Sequence, residues 1–94
     1  MGGVSIKLTS FPGMEESVFS FDIACETSLF DVVSEWGAQN APDILRRVFD
    51  LQTGGVAGNM LIIQNGRSVK SDDPKTTMVS PGDAITIAPI IIGG

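Results

Sequence analysis

The sequence contains no histidine and a single cysteine, Cys25, so the residues that most often bind metals or activate nucleophiles are almost absent. One cysteine also excludes a disulfide within the chain. Only six lysine and arginine residues stand against eleven aspartate and glutamate residues, which gives a net charge of -5. Because nucleic-acid phosphates are neutralised by clustered basic side chains, this composition argues against nucleic-acid binding. A protein partner with a basic surface fits the charge better.

Long apolar runs are also missing. No run approaches the roughly 20 apolar residues that a membrane-spanning helix requires, and the opening MGGVSIKL lacks the basic start and apolar stretch of a signal peptide. We therefore expect a cytoplasmic protein with no membrane partner. The length of 94 residues and the hydrophobic fraction of 43% predict one folded domain.

The first quarter of the chain predicts two strands. In VSIKLTSF, Val4, Ile6 and Leu8 share one face and polar residues occupy the other, which is typical of a half-buried strand. The run SVFSFDIA alternates in the same way after the turn sequence FPGMEE. We therefore expect a β-hairpin whose connection is longer than a tight turn.

Two stretches in the middle of the chain predict helices. In TSLFDVVSEWG the apolar residues recur at helical spacing, Ser28 and Asp31 resemble a capping box, and Gly37 marks the expected end. In APDILRRVFDLQTGG, Pro42 stands in the first turn and the glycines at 54–55 mark the expected end.

The last third of the chain predicts two turns and further strands. Asn65 and Gly66 form the dipeptide best suited to a type I′ hairpin turn. The sequence PGD at 81–83 marks a second turn, after which Ile85 and Ile87 point inward from a final strand. A last strand beside the first would make the sheet mixed, so we predict an α+β roll with one or two helices on one face.

Side chains that suggest chemistry elsewhere have simpler interpretations. Cys25 is expected to be a small buried hydrophobe, because the sequence offers no histidine to activate it. Trp36 is expected in the core, and RSVKSDDPK is expected to be a solvated loop without a site. Four acidic residues are expected on solvated faces: Asp22, Glu26, Asp31 and Glu35. We therefore predict no catalytic residues and no metal site.

The ending APIIIGG is the feature that suggests a function. A carboxylate becomes a good electrophile when an enzyme transfers AMP onto it, and a thiolate, sulfide or amine can then attack. A chain end that reacts in this way must reach a narrow active site, and glycine presents backbone without a side chain. Proline and β-branched residues stiffen the approach into an extended form. We therefore expect Gly94 to be the reacting residue. The residues expected to occupy the partner's channel are Pro89, Ile90, Ile91, Ile92 and Gly93.

The order of the elements, the NG hairpin, PGDAITIAP and the terminal Gly93-Gly94 together resemble the MoaD/ThiS family of ubiquitin-like sulfur carriers. The resemblance implies a ubiquitin-like β-grasp domain over residues 1–89 and a flexible tail over residues 90–94. It also implies that Gly94 is adenylated and converted to a thiocarboxylate for molybdopterin or cysteine biosynthesis. The partners would be a ubiquitin-activating-like adenylating enzyme, which uses ATP, and a sulfur-accepting enzyme. The chain itself would be a protein co-substrate with no bound cofactor, or the small subunit of a sulfur-transferring synthase.

Two other functions stay open at this point. The chain can be a ubiquitin-like modifier that is joined through Gly94 to lysines of target proteins, because both functions begin with the same acyl adenylate. It can also be a β-grasp interaction domain with an inert tail.

Overall fold

The computed structural model describes residues 2–11, 13–50 and 52–90 of the chain. Within these residues the chain forms seven strands and two helices. The strands are β1 (Gly2–Leu8), β2 (Ser17–Ile23), β3 (Thr27–Ser28), β4 (Met60–Gln64), β5 (Arg67–Ser68), β6 (Met78–Val79) and β7 (Ala84–Pro89). The helices are α1 (Leu29–Asn40) and α2 (Pro42–Val48).

The strands of the described residues form a mixed five-stranded sheet and a small two-stranded sheet. The larger sheet has the order β2-β1-β7-β4-β5, and β3 pairs with β6 in the smaller one. β1 pairs antiparallel with β2 and parallel with β7, and β7 pairs antiparallel with β4. The predicted hairpin, the mixed sheet and the last strand beside the first are therefore confirmed.

The alternating strands bury one face against the helices. Val4, Ile6 and Leu8 of β1 are at most 1% exposed, whereas the intervening Ser5 is exposed. The same core includes residues from α1, α2 and β4, so both helices pack on one face of the sheet. Burial of this apolar area is the main favourable term in folding, at roughly 25 cal/mol per Å².

Helix α1 begins as predicted but ends later than predicted. The hydroxyl of Ser28 accepts a hydrogen bond from the Asp31 amide at 3.1 Å, which confirms the N-cap. The expected end at Gly37 is wrong, because α1 continues for three more residues. Gly37 is buried against α2, where an added Cβ would lie 2.9 Å from Leu45 Cβ. This glycine permits the two helices to approach and does not terminate the first one.

Helix α2 is shorter than predicted. Pro42 is in its first turn, as expected, but the helix ends at Val48, well before the glycines at 54–55. Phe49 is extended and forms an isolated antiparallel bridge with Val56. The backbone carbonyl of Asp50 accepts from the amide of residue 54 at 2.8 Å, so these glycines belong to a turn that reverses the chain.

The NG turn is confirmed by the backbone. Asn65 and Gly66 have φ angles of 52° and 84°, the left-handed values that a type I′ turn requires at both central positions. They connect β4 to β5, with Gln64 opposite Arg67.

Trp36 lies in the core, which confirms the prediction. Its side chain is 1% exposed, and its ring meets Phe19 edge to face with centroids 5.3 Å apart. Its indole N–H has no hydrogen-bond partner among the described residues. Since the sequence has one tryptophan and no tyrosine, the fluorescence of Trp36 reports unfolding without a contribution from other tryptophan or tyrosine side chains.

Candidate functional site: the base of the C-terminal tail

The predicted tail follows a strand in the middle of the sheet. β7 lies between β1 and β4, and its side chains Ile85 and Ile87 are at most 1% exposed. Hydrogen-bonded neighbours on both sides fix such a strand more firmly than an edge strand. The residues that follow β7 are therefore attached to one of the most constrained parts of the molecule.

Two of the predicted tail residues lie within the described chain. Pro89 is the last residue of β7 and stands opposite Met60 of β4. The amide of Ile90 donates to the carbonyl of Asn59 at 2.8 Å, which extends the pairing of the two strands by one step. Both residues are half-buried. The other predicted residues, at 91–94, lie outside the described residues.

Lys70 binds the segment 57–60, from which β4 starts. Its ammonium group donates to the carbonyl oxygens of Ala57 at 3.0 Å, Gly58 at 2.9 Å and Met60 at 2.9 Å. Three N–H groups are all that a lysine ammonium offers, so its donor capacity is filled. The sequence predicts this lysine in a solvated loop without a site, so its role in the structure is not predicted by the sequence. No local sequence pattern indicates this role, because the carbonyls that Lys70 contacts lie 10 to 13 residues away in the sequence.

A second polar cluster holds the beginning of β7. The carboxylate of Asp83 accepts from the side-chain amides of Gln64 at 3.0 Å and Asn65 at 3.0 Å, and from the Ser80 amide at 2.9 Å. Partial burial raises the pKa of Asp83, but the hydrogen bonds from Asn65, Ser80 and Gln64 together outweigh it and lower the pKa below its ordinary value of 3.8. The cluster joins the NG turn to the turn before β7.

The remaining candidate side chains form no reactive site in the described part of the chain. Cys25 is exposed, so the expectation that it is buried was wrong. It lies in the bend that follows β2, where the chain leaves the sheet. The four acidic residues named in the sequence analysis are exposed, as expected. Among the residues described, no group of three or more His, Cys, Asp or Glu side chains is arranged to hold a metal ion.

Neither of the described helices, of 12 and 7 residues, is long and apolar enough to cross a membrane.

Comparison with known proteins gives structural matches only. No protein-family model matches the sequence, and no curated protein matches it. The solution structure of the HVO 2177 protein of Haloferax volcanii is similar with a TM-score of 0.69 and 21% identity, over 99% of this chain and 87% of that one. The solution structure of small archaeal modifier protein 1 (SAMP1) from Methanosarcina acetivorans is similar with a TM-score of 0.66 and 22% identity, over 100% of this chain and 98% of that one.

These matches and the topology define the class of fold. The mixed sheet with two helices on one face is the ubiquitin-like β-grasp fold, so the predicted fold is confirmed. At such identities the likeness establishes the fold alone, and function has to be argued from the site.

Proposed function

We propose that the chain is a sulfur carrier whose Gly94 carboxylate is activated by a partner enzyme. The carboxylate oxygen attacks the α-phosphorus of ATP, which releases pyrophosphate and leaves a mixed anhydride with AMP. Sulfide then adds to the carbonyl carbon and displaces AMP, leaving a thiocarboxylate on Gly94. A sulfur-accepting enzyme of cofactor or cysteine biosynthesis would take the sulfur from there. The chain acts as a co-substrate in this scheme.

The observation that carries the proposal is where the Gly-Gly sequence is attached. It follows the central strand β7, and the last described hydrogen bond, from Ile90 to Asn59, lies only a few residues before Gly94. A reacting group that lies only a few residues beyond a hydrogen-bonded strand loses less conformational entropy on docking than one at the end of a long linker. The net charge of -5 suits a partner with a basic docking surface.

A second function is favoured by one of the structural neighbours, which is named a modifier. In that function a lysine amine of a target protein attacks the same acyl group, and an isopeptide bond to Gly94 results. The two functions share the activation step and differ in the nucleophile that follows.

The mass of the C-terminal peptide distinguishes the two functions. A protease that cleaves before aspartate releases residues 83–94, a peptide with no cysteine or methionine. A gain of about 16 Da in this peptide therefore identifies a thiocarboxylate, since the methionine oxidation that adds the same mass is impossible here. In protein purified from its native cells, the carrier function predicts this gain, and reaction with iodoacetamide should occur only on peptide that carries it. The modifier function predicts the same peptide branched onto a lysine of another protein.

A further inference from the structure

Lys70 makes an unusual set of contacts for a lysine on a small domain. All three of its ammonium hydrogens point to backbone carbonyls, and the acceptors lie 10 to 13 residues away in sequence. Hydrogen bonds from a charged donor are stronger than those between neutral groups. A mobile surface lysine would not satisfy three acceptors within 3.0 Å, so the side chain is held in one place.

The carbonyl that Lys70 leaves free is the one that binds the tail. The carbonyls of Gly58 and Met60 accept hydrogen bonds from the ammonium group, whereas the carbonyl of Asn59 between them accepts from the Ile90 amide at 2.8 Å. Because the carbonyls of Gly58 and Met60 both bind the Lys70 ammonium group, the peptide units around Asn59 have little freedom to rotate. The direction of the Asn59 carbonyl is thereby fixed.

We propose that Lys70 is a positioning residue for the tail, which it controls through the Asn59 carbonyl. It fixes the point where the chain leaves β7 and so the direction in which Gly94 is offered to the activating enzyme. The part that concerns Gly94 depends on the function proposed above, whereas the part that concerns Ile90 does not.

We expect the fold itself not to depend on this lysine. The Ala57 amide donates to the Val48 carbonyl at 2.8 Å, and the Met60 amide donates to the Ala57 carbonyl at 3.0 Å. These bonds and the buried side chains of β4 do not involve Lys70 as a partner, so we expect them to stay when it is replaced. A Lys70→Met variant keeps the length and the apolar stem of the side chain and loses the three donors, so we expect it to fold.

Hydrogen exchange at the Ile90 amide tests the positioning directly. In Lys70→Met we expect this amide to exchange about tenfold faster than in the wild type, since its acceptor is no longer held. The Val69 amide, which donates to the Ile62 carbonyl at 3.0 Å, is the internal reference and should keep its rate. Lys75→Met is the matched control, because it removes the same charge from a lysine that lies over the Phe30 ring at 5.3 Å. Its Ile90 exchange should equal that of the wild type.

Lys70→Arg adds a test of geometry. It keeps the positive charge, but a planar guanidinium spreads its donors over a fork and does not direct three of them to one cluster of carbonyls. We expect exchange at Ile90 between the wild-type and Lys70→Met rates. Full recovery with arginine would mean that charge alone suffices and would overturn the geometric part of the proposal.

Activation of Gly94 is measured separately with a chemical trap. Hydroxylamine attacks an acyl adenylate at its carbonyl carbon and displaces AMP, which leaves a hydroxamate on Gly94 that mass spectrometry detects. With native-cell extract and ATP, we expect Lys70→Met to need at least about threefold more protein for half-maximal hydroxamate formation, because a less ordered tail loses more entropy on docking. The maximal rate should stay, since the partner's channel fixes the tail once it is bound.

The outcomes separate the two proposals. If the wild type forms no hydroxamate, the proposed function and the part about Gly94 fail together, and Ile90 exchange alone decides the positioning. If Ile90 exchanges at the wild-type rate in Lys70→Met, or if Val69 accelerates equally, Lys70 is only a general structural residue and the inference is overturned. If Ile90 exchanges faster but the half-maximal protein concentration is unchanged, the part about Gly94 is overturned, because the position of the tail would then not affect activation, and the part about Ile90 stands.

Discussion

Gly37 of α1 and Leu45 of α2 are packed so closely that a methyl group on the glycine would lie 2.9 Å from the leucine Cβ and 3.2 to 3.3 Å from its two Cδ atoms. This contact sets the distance between the two helices that cover the sheet. A short connection of one residue, Ala41, joins the helices, so neither is free to move away independently.

Replacing Gly37 with alanine is expected to destabilise the protein, although alanine is the better helix former by about 1 kcal/mol. Overpacking of this kind costs about 1–3 kcal/mol, so we expect a net loss of up to about 2 kcal/mol in the free energy of unfolding. The measurement is urea unfolding followed by Trp36 fluorescence. Gly58→Ala is the control, because a Cβ there meets nothing within 4 Å.

The loss should shrink when Gly37→Ala is made in a Leu45→Ala background, since two of the three close contacts are to the leucine methyl groups. An equal or greater stability of Gly37→Ala alone, relative to wild type, would show that the helices separate at no cost and that the contact does not limit their approach.

Asp83 is expected to make stability depend on pH at the acidic end. Its pKa is lowered in the folded state, so its contribution is complete above the unfolded value of 3.8 and is lost as the pH falls through the lower folded value. Asp83→Asn cannot ionise and turns an amide N–H₂ toward other donors. We expect it to be less stable than the wild type by about 1–2 kcal/mol near neutral pH.

The test is the difference in unfolding free energy between the wild type and Asp83→Asn, measured from pH 7 downward. The difference should narrow only below about pH 3.8, as the wild-type carboxylate takes up its proton. A difference that stays constant over the whole pH range would mean that the negative charge of Asp83 contributes nothing to the free energy of unfolding.

The sequence predicted those parts of the fold that depend on neighbouring residues. Alternation in β1, the Ser28 cap and the Asn65-Gly66 turn are local, because each needs only a few adjacent residues to be recognised. Gly37 was misread because a glycine that ends a helix and one that admits a neighbouring helix look alike in sequence. The position of the glycines at 54–55 was misread for a similar reason, since the bridge between Phe49 and Val56 already ends the helix.

The candidate site likewise has a part that can be recognised from neighbouring residues and a part that depends on tertiary contacts. Pro89 and Ile90 are named by the sequence because the tail is a contiguous motif. The carbonyl of Asn59 and the ammonium of Lys70 belong to the same site only through tertiary contacts, and no spacing in the sequence connects them with the tail. Cys25 was expected to be buried because cysteine is usually a small buried hydrophobe and the sequence has no histidine to activate it, whereas it lies in the bend after β2 and is exposed.

Substitutions at Gly93 should separate activity from stability. Gly93→Ala adds one methyl group to the predicted tail, which we expect to lie outside the core, so the free energy of unfolding should change by no more than about 0.5 kcal/mol and the melting temperature should change little. Activation in the presence of native-cell extract and ATP should fall, and it should fall further for Gly93→Val, because a β-branched side chain adds bulk beside the main chain. Hydroxamate formation and thermal unfolding of both variants give the two readouts. Normal activation of both would show that the partner's site does not require bare backbone, and an inert tail on a β-grasp interaction domain would then be the better account.

The most direct test of the account is whether ATP activates the Gly94 carboxyl group. Wild-type protein is incubated with native-cell extract and hydroxylamine, with and without ATP, and the peptide of residues 83–94 is then analysed by mass spectrometry. We expect a hydroxamate on Gly94 that forms only with ATP, and none on a variant that lacks Gly94 although it unfolds at the same temperature. A peptide that keeps its free carboxylate in the presence of ATP, or a hydroxamate that forms equally well on the shortened variant, would contradict the account.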